Sequence, residues 1–168
     1  KEGLIKFDVQ GDVKADVMNV LPAMRAGKIA QQAGLANMAN NRWAGVNYQS
    51  FESTAAKDVF VIGDAIQVAP LMPKSGHMAN NHGKVAAAAI VAQLSGWEIN
   101  QTPMLTNTCY SFVDDRTVIH VASVHEYVAA ERTFKVVAGS GGVSAEPTEL
   151  EGTYANHWAK TIWSDTLE

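Results

Sequence analysis

Residues 59–96 read Val59-Phe-Val-Ile-Gly-Asp-Ala-Ile-Gln-Val-Ala-Pro-Leu-Met-Pro-Lys-Ser-Gly-His-Met-Ala-Asn-Asn-His-Gly-Lys-Val-Ala-Ala-Ala-Ala-Ile-Val-Ala-Gln-Leu-Ser-Gly96, and they decide the fold. The first four residues form an apolar run that is short enough for a buried strand, and the run stops at Gly63-Asp64. A loop with two prolines follows, and then an Ala-rich helix that begins after Ser75 and ends at Ser95-Gly96. This order predicts a strand, a turn and a helix.

Such a unit directs one carboxylate and one helix N-terminus at the same crevice. The carboxylate of Asp64, next to Gly63, can accept hydrogen bonds from sugar-like hydroxyls. The helix N-terminus at Ser75-Gly76-His77 can hold a partially negative oxygen, because its backbone N–H groups and its dipole point that way. A flavin with a ribityl chain needs both features, although Asp also ends strands and caps turns in many proteins without any ligand.

Several segments occur in a recognisable order along nearly the whole chain. They are Asn19-Val-Leu-Pro, Arg25-Ala-Gly-Lys-Ile-Ala, Val61-Ile-Gly-Asp-Ala, Met72-Pro-Lys-Ser-Gly-His-Met-Ala-Asn-Asn-His-Gly-Lys-Val-Ala-Ala-Ala, Asn107-Thr-Cys-Tyr-Ser, Trp158 and Asp165-Thr. The set resembles the second FAD-binding motif of flavoproteins with two dinucleotide-binding domains. More closely, it resembles the flavoprotein subunit of flavocytochrome c sulfide dehydrogenase, a relative of the sulfide:quinone oxidoreductases.

The resemblance implies an α/β fold that becomes α+β at the C-terminus. A partial FAD-binding Rossmann-like domain would be followed by an interface-type sheet and helix. Residues 1–34 would end an NADH-like domain, 35–96 would be the C-terminal part of the FAD-binding domain, and 97–168 would be the interface domain. The Gly-x-Gly-x-x-Gly turn that holds a pyrophosphate does not occur. We therefore expect the chain to be the C-terminal part of a longer subunit.

Local patterns predict the remaining elements. Alternating apolar residues predict a hairpin with strands at 4–9 and 13–20, and a short helix is expected at 26–33 with Gly34 as its cap. Further strands are expected at 105–113, 118–127 and 132–138, then a loop at 139–147 and a terminal helix at 149–166. Ala79, Gly83 and Ala87 form a small-residue stripe on the Ala-rich helix, which suggests a close neighbour.

The resemblance also assigns roles to individual residues. Asp64 would bind the ribityl chain of FAD, and the helix N-terminus would stabilise the anionic reduced flavin. Cys109 would form a redox-active disulfide above the flavin with a cysteine outside this chain, which has one cysteine. Trp158 would lie near the isoalloxazine. The alternatives are a structural thiol for Cys109 and simple core packing for Trp158.

The implied parent enzyme oxidises sulfide and passes electrons through the cysteine pair and FAD to a c-type cytochrome subunit in the periplasm. The chain alone would be incomplete and inactive, with doubtful FAD binding, and would form a homo-oligomer such as a dimer. One alternative is an enzyme of the sulfide:quinone oxidoreductase type. The other is a flavin-free, stand-alone domain for oligomerisation or interaction.

Composition narrows the function classes further. Apolar residues make up 47% of the chain and charged residues 18%, as expected for a globular protein rather than a disordered one. The net charge of −4 gives no sign of nucleic-acid binding. Polar residues interrupt the Ala-rich helix, so no membrane span is predicted. His77 and His82 lie five apart, off the spacing that places two metal ligands on one helix face, so no metal site is predicted.

Overall fold

Two long helices and one antiparallel sheet form the framework of residues 3–167, the part of the chain that this computed structural model describes. A 3-10 turn at Gly63–Ala65 precedes the first of the long helices. In chain order the elements are β1 (Leu4–Phe7), β2 (Gly11–Lys14), α1 (Lys28–Gln32), β3 (Ala36–Met38), β4 (Trp43–Ala44), β5 (Val46–Asn47), β6 (Glu52–Ser53), α2 (Gly76–Ser95), β7 (Met104–Phe112), β8 (Val118–Val128), β9 (Thr133–Val136), β10 (Gly142–Val143) and α3 (Glu149–Leu167).

Helix α2 begins and ends where its sequence signals predict. The Ser75 side chain caps the N-terminus by accepting a hydrogen bond from the backbone N–H of Met78 at 3.1 Å. At the other end Gly96 takes a left-handed conformation with φ +69° and donates its N–H to the last turn. The predicted helix at 26–33 is confirmed as the shorter α1, and Gly34 just beyond it also has a positive φ of +70°.

The four-stranded sheet is built around β8. Strand β7 pairs with it in antiparallel register from Met104 opposite Glu126 to Phe112 opposite Val118. The connecting turn is fixed by Asp114, whose carboxylate accepts the backbone N–H groups of Arg116 at 2.8 Å and Thr117 at 2.7 Å. Strands β9 and β10 pair with other parts of β8, which leaves β7 at an edge. The predicted strands and terminal helix of the C-terminal region are therefore confirmed.

The main core lies between α2, the sheet and the loops that precede α2. Its fully buried side chains include Phe51, Ile66, Met78, Leu105 and Phe134. Burying each one stabilises the fold by about 1.5–3 kcal/mol relative to exposure. This core fixes α2 against the sheet, and it thereby sets the position of the helix N-terminus.

The predicted strand at 59–62 is wrong. In this run only Phe60 makes a bridge, with Glu52, and the side chains of Val59 and Ile62 are 37% and 43% exposed. A buried strand needs neighbours on both sides, whereas among the described residues this run is bonded only to residues 51–53, on one side. The four sheets found within residues 3–167 are all antiparallel, so the structure confirms an α+β fold and does not confirm the Rossmann-like part of the prediction.

Two smaller expectations also change. The N-terminal hairpin exists, but its second strand ends at Lys14 rather than residue 20, and the following Val17 is exposed. The predicted loop at 139–147 contains the short strand β10, which extends the sheet beside β8. The three-part domain division stays a prediction. Among residues 3–167, no helix is both long enough and apolar enough for a membrane crossing.

Candidate functional site

A groove between α2 and α3 is the largest concave feature of the site. Its volume is about 780 Å³, within the range of roughly 300–1,000 Å³ that is usual for small-molecule sites. We call it the α2–α3 groove; its lining residues are Ile62, Gly76, Ala79, Asn80, Gly83, Lys84, Ala87, Trp158, Ala159, Ile162, Trp163, Asp165, Thr166 and Leu167.

The floor of the groove is made by the small residues of α2. Ala79, Gly83 and Ala87 all line it. A Cβ added at Gly83 would meet only Ile62 Cδ1 at 3.6 Å, an ordinary contact, so packing does not demand glycine here. The predicted close neighbour of the stripe is confirmed at Ala79, which lies against Gly63, and the rest of the stripe faces an open groove with α3 on its far side.

Polar contacts join the two helices at one end of the groove. Lys84 of α2 forms an ion pair with Asp165 of α3, and the Asn80 side chain donates to the Thr166 hydroxyl at 3.4 Å. Both bonds are exposed, and such pairs contribute little to stability. They hold the end of α3 over α2 and give the groove a polar rim.

A hydrogen-bonded chain connects the N-cap of α2 with the cysteine. The Ser75 hydroxyl donates to the side-chain oxygen of Asn107 at 2.5 Å, and the Asn107 amide donates to Cys109 Sγ at 3.4 Å. Asn107 and Cys109 point to the same face of β7, because they are two residues apart on a strand. Asn107 is buried, whereas Cys109 is exposed and unpaired with another cysteine.

His77, in the first turn of α2, contacts both β7 and α3. Its Nδ1 accepts the backbone N–H of Thr108 at 3.0 Å, and its ring meets the ring of Trp158 edge-on with centroids 5.5 Å apart. Burial, and secondly the charge of Lys84, lower the pKa of His77 below its usual 6.5. The neutral ring suits its role as a hydrogen-bond acceptor.

Trp158 lies at the point where the groove meets this cluster. Its ring also lies 5.8 Å from that of Tyr110, and it lines the groove. Its indole Nε1 is buried and has no hydrogen-bond partner among the described residues. A buried indole N–H normally finds an acceptor, so this group is a polar atom of the site that the described residues leave unsatisfied.

Gly63 and Asp64 lie on the 3-10 turn beside α2. Asp64 is exposed and lines a second, smaller cleft of about 290 Å³ with Arg25, Trp43 and Lys74. Gly63 is buried, and a Cβ there would lie 3.2 Å from the Cβ of Ala79. The structure thus connects Cys109 to the start of α2 through Asn107 and Ser75, and Trp158 through His77. It directs Asp64 to a neighbouring cleft.

Two residues of the site were not singled out from the sequence. Asn107 appeared there only as part of a motif, although a buried Asn between apolar strand residues is a usable signal. His82 is 1% exposed, accepts the backbone N–H of Gly63 on Nδ1 at 3.1 Å, and stacks on Phe51 with centroids 4.4 Å apart. Burial, and secondly Lys74, lower the pKa of His82 to about 4.

A separate polar cluster fastens α3 to the sheet. Glu151 accepts from His120 Nδ1 at 2.8 Å and from the Ser144 hydroxyl at 2.7 Å. The Ser144 bond has the largest effect and lowers the pKa of Glu151; burial, the second-largest effect, raises it, and the bonds and charge of His120 lower it further. Because Ser144 and Glu151 both contact the same ring nitrogen of His120, the arrangement differs from a Ser-His-acid catalytic triad. Within residues 3–167, no cluster of three or more His, Cys, Asp or Glu side chains could hold a metal ion.

Residues 101–167 match the family model described as flavocytochrome c sulphide dehydrogenase, flavin-binding. The matched segment contains β7, β8, β9, β10 and α3, and with them Asn107, Cys109 and Trp158. It therefore includes one wall of the α2–α3 groove and the strand that contacts the N-terminus of α2. The resemblance to the flavoprotein of flavocytochrome c sulphide dehydrogenase is thereby confirmed on residues 101–167, which are similar to its flavin-binding domain.

Proposed function

We propose that this chain supplies part of the FAD site of a flavin-dependent sulfide dehydrogenase. The observation that carries the proposal is the clustering of Cys109 and Trp158, both within the matched segment, around the N-terminus of α2. The flavin would supply two-electron redox chemistry, and the chain would supply binding, orientation and electrostatics.

The residues of the α2–α3 groove fit a flavin ring system. The floor of Ala79, Gly83 and Ala87 leaves room for a flat aromatic group, and the ring of Trp158 lines the same groove. Apolar walls with a few polar groups are typical of cofactor sites. Asp64, in the neighbouring cleft, would accept hydrogen bonds from ribityl hydroxyls.

The N-terminus of α2 would favour the reduced, anionic form of the flavin. No acidic residue occupies the first turn of α2, so nothing there offsets the positive end of the helix dipole. Gly76, the first residue of the helix, lines the groove and has no side chain to block the approach of a ligand. The helix would thus stabilise negative charge near its first turn.

Cys109 would take part in the sulfide chemistry. An exposed thiol on β7 can form a disulfide with a second cysteine, which this chain does not contain. Attack by hydrosulfide on that disulfide would form one persulfide and release one thiolate, so the disulfide would take up the two electrons that sulfide loses. Re-forming the disulfide with release of the persulfide sulfur as zero-valent sulfur would pass those two electrons to the flavin. Asn107 would hold Cys109 in place through its amide.

The other parts of the proposal rest on the resemblance. They are a c-type cytochrome as electron acceptor, a periplasmic location, and a homo-oligomer for the isolated chain. The electron acceptor distinguishes the proposed enzyme from one that reduces a quinone. Reoxidation of the sulfide-reduced flavin by cytochrome c, and not by a soluble quinone, is the expected result.

The flavin site is tested by titrating the protein with FAD and following the quenching of flavin fluorescence. Because contacts outside this chain are implied, we expect binding weaker than about 1 μM in Kd. Gly83→Leu, which fills the groove, should weaken binding at least tenfold, whereas Ala88→Leu on another face of α2 should not. Equal FAD affinity for the wild type and Gly83→Leu would refute the groove as the flavin site.

The sulfide chemistry is tested without oxygen in a flavin-loaded protein that also contains the second cysteine, because this chain has only Cys109. Sulfide should bleach the visible absorption of the flavin in the wild type and in Ser111→Ala, a change at an exposed neighbour on β7. Cys109→Ser should keep its flavin and show no bleaching. Bleaching of Cys109→Ser at the wild-type rate would show that Cys109 is structural.

Exposed apolar residues near the N-terminus favour a second candidate, an association domain without flavin. Val9, Val17 and Leu21 are almost fully exposed, and exposed apolar residues that form a contiguous patch often mark an interface. In that case the protein would be colourless and would show no FAD quenching. Light scattering would then show a defined oligomer.

A further inference from the structure

The 3-10 turn that carries Asp64 is held by side chains at three backbone groups. His82 Nδ1 accepts the N–H of Gly63 at 3.1 Å. Lys74 Nζ donates to the carbonyl oxygens of Asp64 at 2.6 Å and Ile66 at 3.0 Å. A three-residue turn has few bonds of its own, so these three contacts determine its geometry.

The bond to Gly63 requires His82 in one particular state. Because the Gly63 N–H donates to Nδ1, a neutral His82 carries its proton on Nε2. That Nε2 is buried and has no partner among residues 3–167. A pKa lowered to about 4 keeps the ring neutral near pH 7, so the acceptor is present. The fold therefore tolerates one unmet buried N–H to keep the Gly63 bond.

Lys74 also contacts the turn through its ammonium group. Besides its two carbonyl bonds, its Nζ lies 3.8 Å from the centre of the Trp43 ring, as in a cation–π contact. Burial lowers the pKa of Lys74, and the nearby charge of Asp64 opposes that shift. The ammonium group is thus directed into the turn more than toward solvent.

The conformation and the packing of Gly63 also restrict movement of the turn backbone. Gly63 has φ +67°, a conformation that other residues rarely adopt, and it contacts Ala79 of α2 closely. The side chain of Asp64 nevertheless remains exposed and lines its cleft. A rigid backbone below an accessible carboxylate is the arrangement expected of a pre-organised ligand contact.

We propose that Lys74 and His82 are positioning residues that clamp the Gly63–Ile66 turn and so hold the Asp64 carboxylate for the hydroxyls of a flavin side chain. Neither residue needs to touch the ligand. The clamp itself is a property of the turn, whereas its use for a flavin rests on the proposed function.

The clamp is tested without any flavin, by hydrogen exchange of backbone amides measured by NMR. His82→Leu removes the acceptor and keeps an apolar side chain against Phe51, and it should speed exchange at Gly63 at least tenfold. Lys74→Met should speed exchange in the same turn, while Lys57→Met, at an exposed lysine, should not. His82→Gln, which restores an acceptor, should recover part of the protection and covers the case in which His82→Leu fails to fold. Unchanged exchange of the turn in both Lys74→Met and His82→Leu would overturn the clamp, and where His82→Leu does not fold, unchanged exchange in Lys74→Met overturns it alone.

The use of the clamp is tested by FAD titration in a double-mutant cycle. Lys74→Met should weaken FAD binding several-fold in the wild-type background and have no further effect in an Asp64→Ala background, because it acts through Asp64. An equal effect in both backgrounds would mean that Lys74 acts directly on the ligand, and it would overturn its assignment as a positioning residue. If the wild type binds no FAD, the proposed function fails, and the exchange experiment still decides the clamp.

Discussion

The Ser75 hydroxyl donates a hydrogen bond to the side-chain oxygen of Asn107 at 2.5 Å while it accepts the backbone N–H of Met78 at 3.1 Å. One hydroxyl thus caps α2 and satisfies a buried polar group of β7. Together with the bond from Thr108 to His77, this side chain fixes the helix N-terminus to the cysteine strand.

Ser75→Ala should therefore lower the free energy of unfolding by more than the loss of an ordinary N-cap does. Loss of the cap costs about 1 kcal/mol, and the unsatisfied oxygen of Asn107 adds roughly 1–3 kcal/mol. Urea unfolding should show a loss of about 2–4 kcal/mol in total, against almost none for Ser111→Ala. A loss no larger than that of the control would mean that the Ser75–Asn107 bond is not formed in solution.

Two glycine substitutions in helices should change the free energy of unfolding in opposite directions. A Cβ at Gly83 makes an ordinary contact with Ile62, so Gly83→Ala should raise the free energy of unfolding by up to about 1 kcal/mol. A Cβ at Gly152 would overlap the carbonyl oxygen of Arg116, so Gly152→Ala should lower it by about 1–3 kcal/mol. Thermal unfolding of the two variants measures both changes, and equal signs would contradict the packing described for α3.

Stability should fall with acid in a way that depends on His82. The folded-state pKa of about 4 lies below the ordinary 6.5, so between these values the unfolded chain binds a proton that the folded chain does not. The contribution is complete above about pH 6.5 and is lost as pH falls toward about 4, by about 3 kcal/mol at most. Urea unfolding at several pH values should show this slope, with part of it removed in His82→Gln. His77 and His125, whose pKa values are also lowered, contribute in the same direction.

Glu151→Gln should loosen α3. The carboxylate is held by the Ser144 hydroxyl and by His120, and its pKa is lowered, so its stabilising effect is lost as pH falls through that lowered value. At neutral pH we expect lower stability in Glu151→Gln and a change in the fluorescence of Trp158. Glu146→Gln, at an exposed loop position, is the matched control. Identical unfolding curves for the two variants would contradict the role assigned to the cluster.

Cys109 should be accessible to reagents in the folded protein. It is exposed, so Ellman's reagent should titrate one thiol per chain without denaturant. Cys109→Ser provides the blank. A thiol that reacts only after unfolding would contradict the exposure that the sulfide chemistry requires.

The elements with local determinants could be predicted from the sequence, and those with distant partners could not. Helix α2 was predictable because Ser75 and Gly96 mark its ends and its interior is rich in Ala. Strands β7 and β8 were predictable because the turn between them is set by Asp114. The run 59–62 looked like a strand, but a strand is stabilised by partners elsewhere in the chain, and periodicity does not reveal whether these exist.

The candidate site follows the same rule. Ser75, Gly76 and His77 could be identified as a helix N-terminus from their order alone. The bond from Ser75 to Asn107 spans 32 positions and that from Gly63 to His82 spans 19. Contacts between residues so far apart in the sequence produce no recognisable spacing pattern. The roles of Asn107 and His82 are therefore seen only in the folded structure.

Strand β7 lies at the edge of its sheet, yet part of that edge is closed. The outward backbone N–H of Thr108 is taken by His77, and that of Thr106 by Asn81, both from α2. A strand from another molecule would have to displace α2 before it could pair there. Variants that detach the start of α2, such as Ser75→Ala, would thus uncover a template for intermolecular β-sheet growth, and aggregation would accompany their loss of stability.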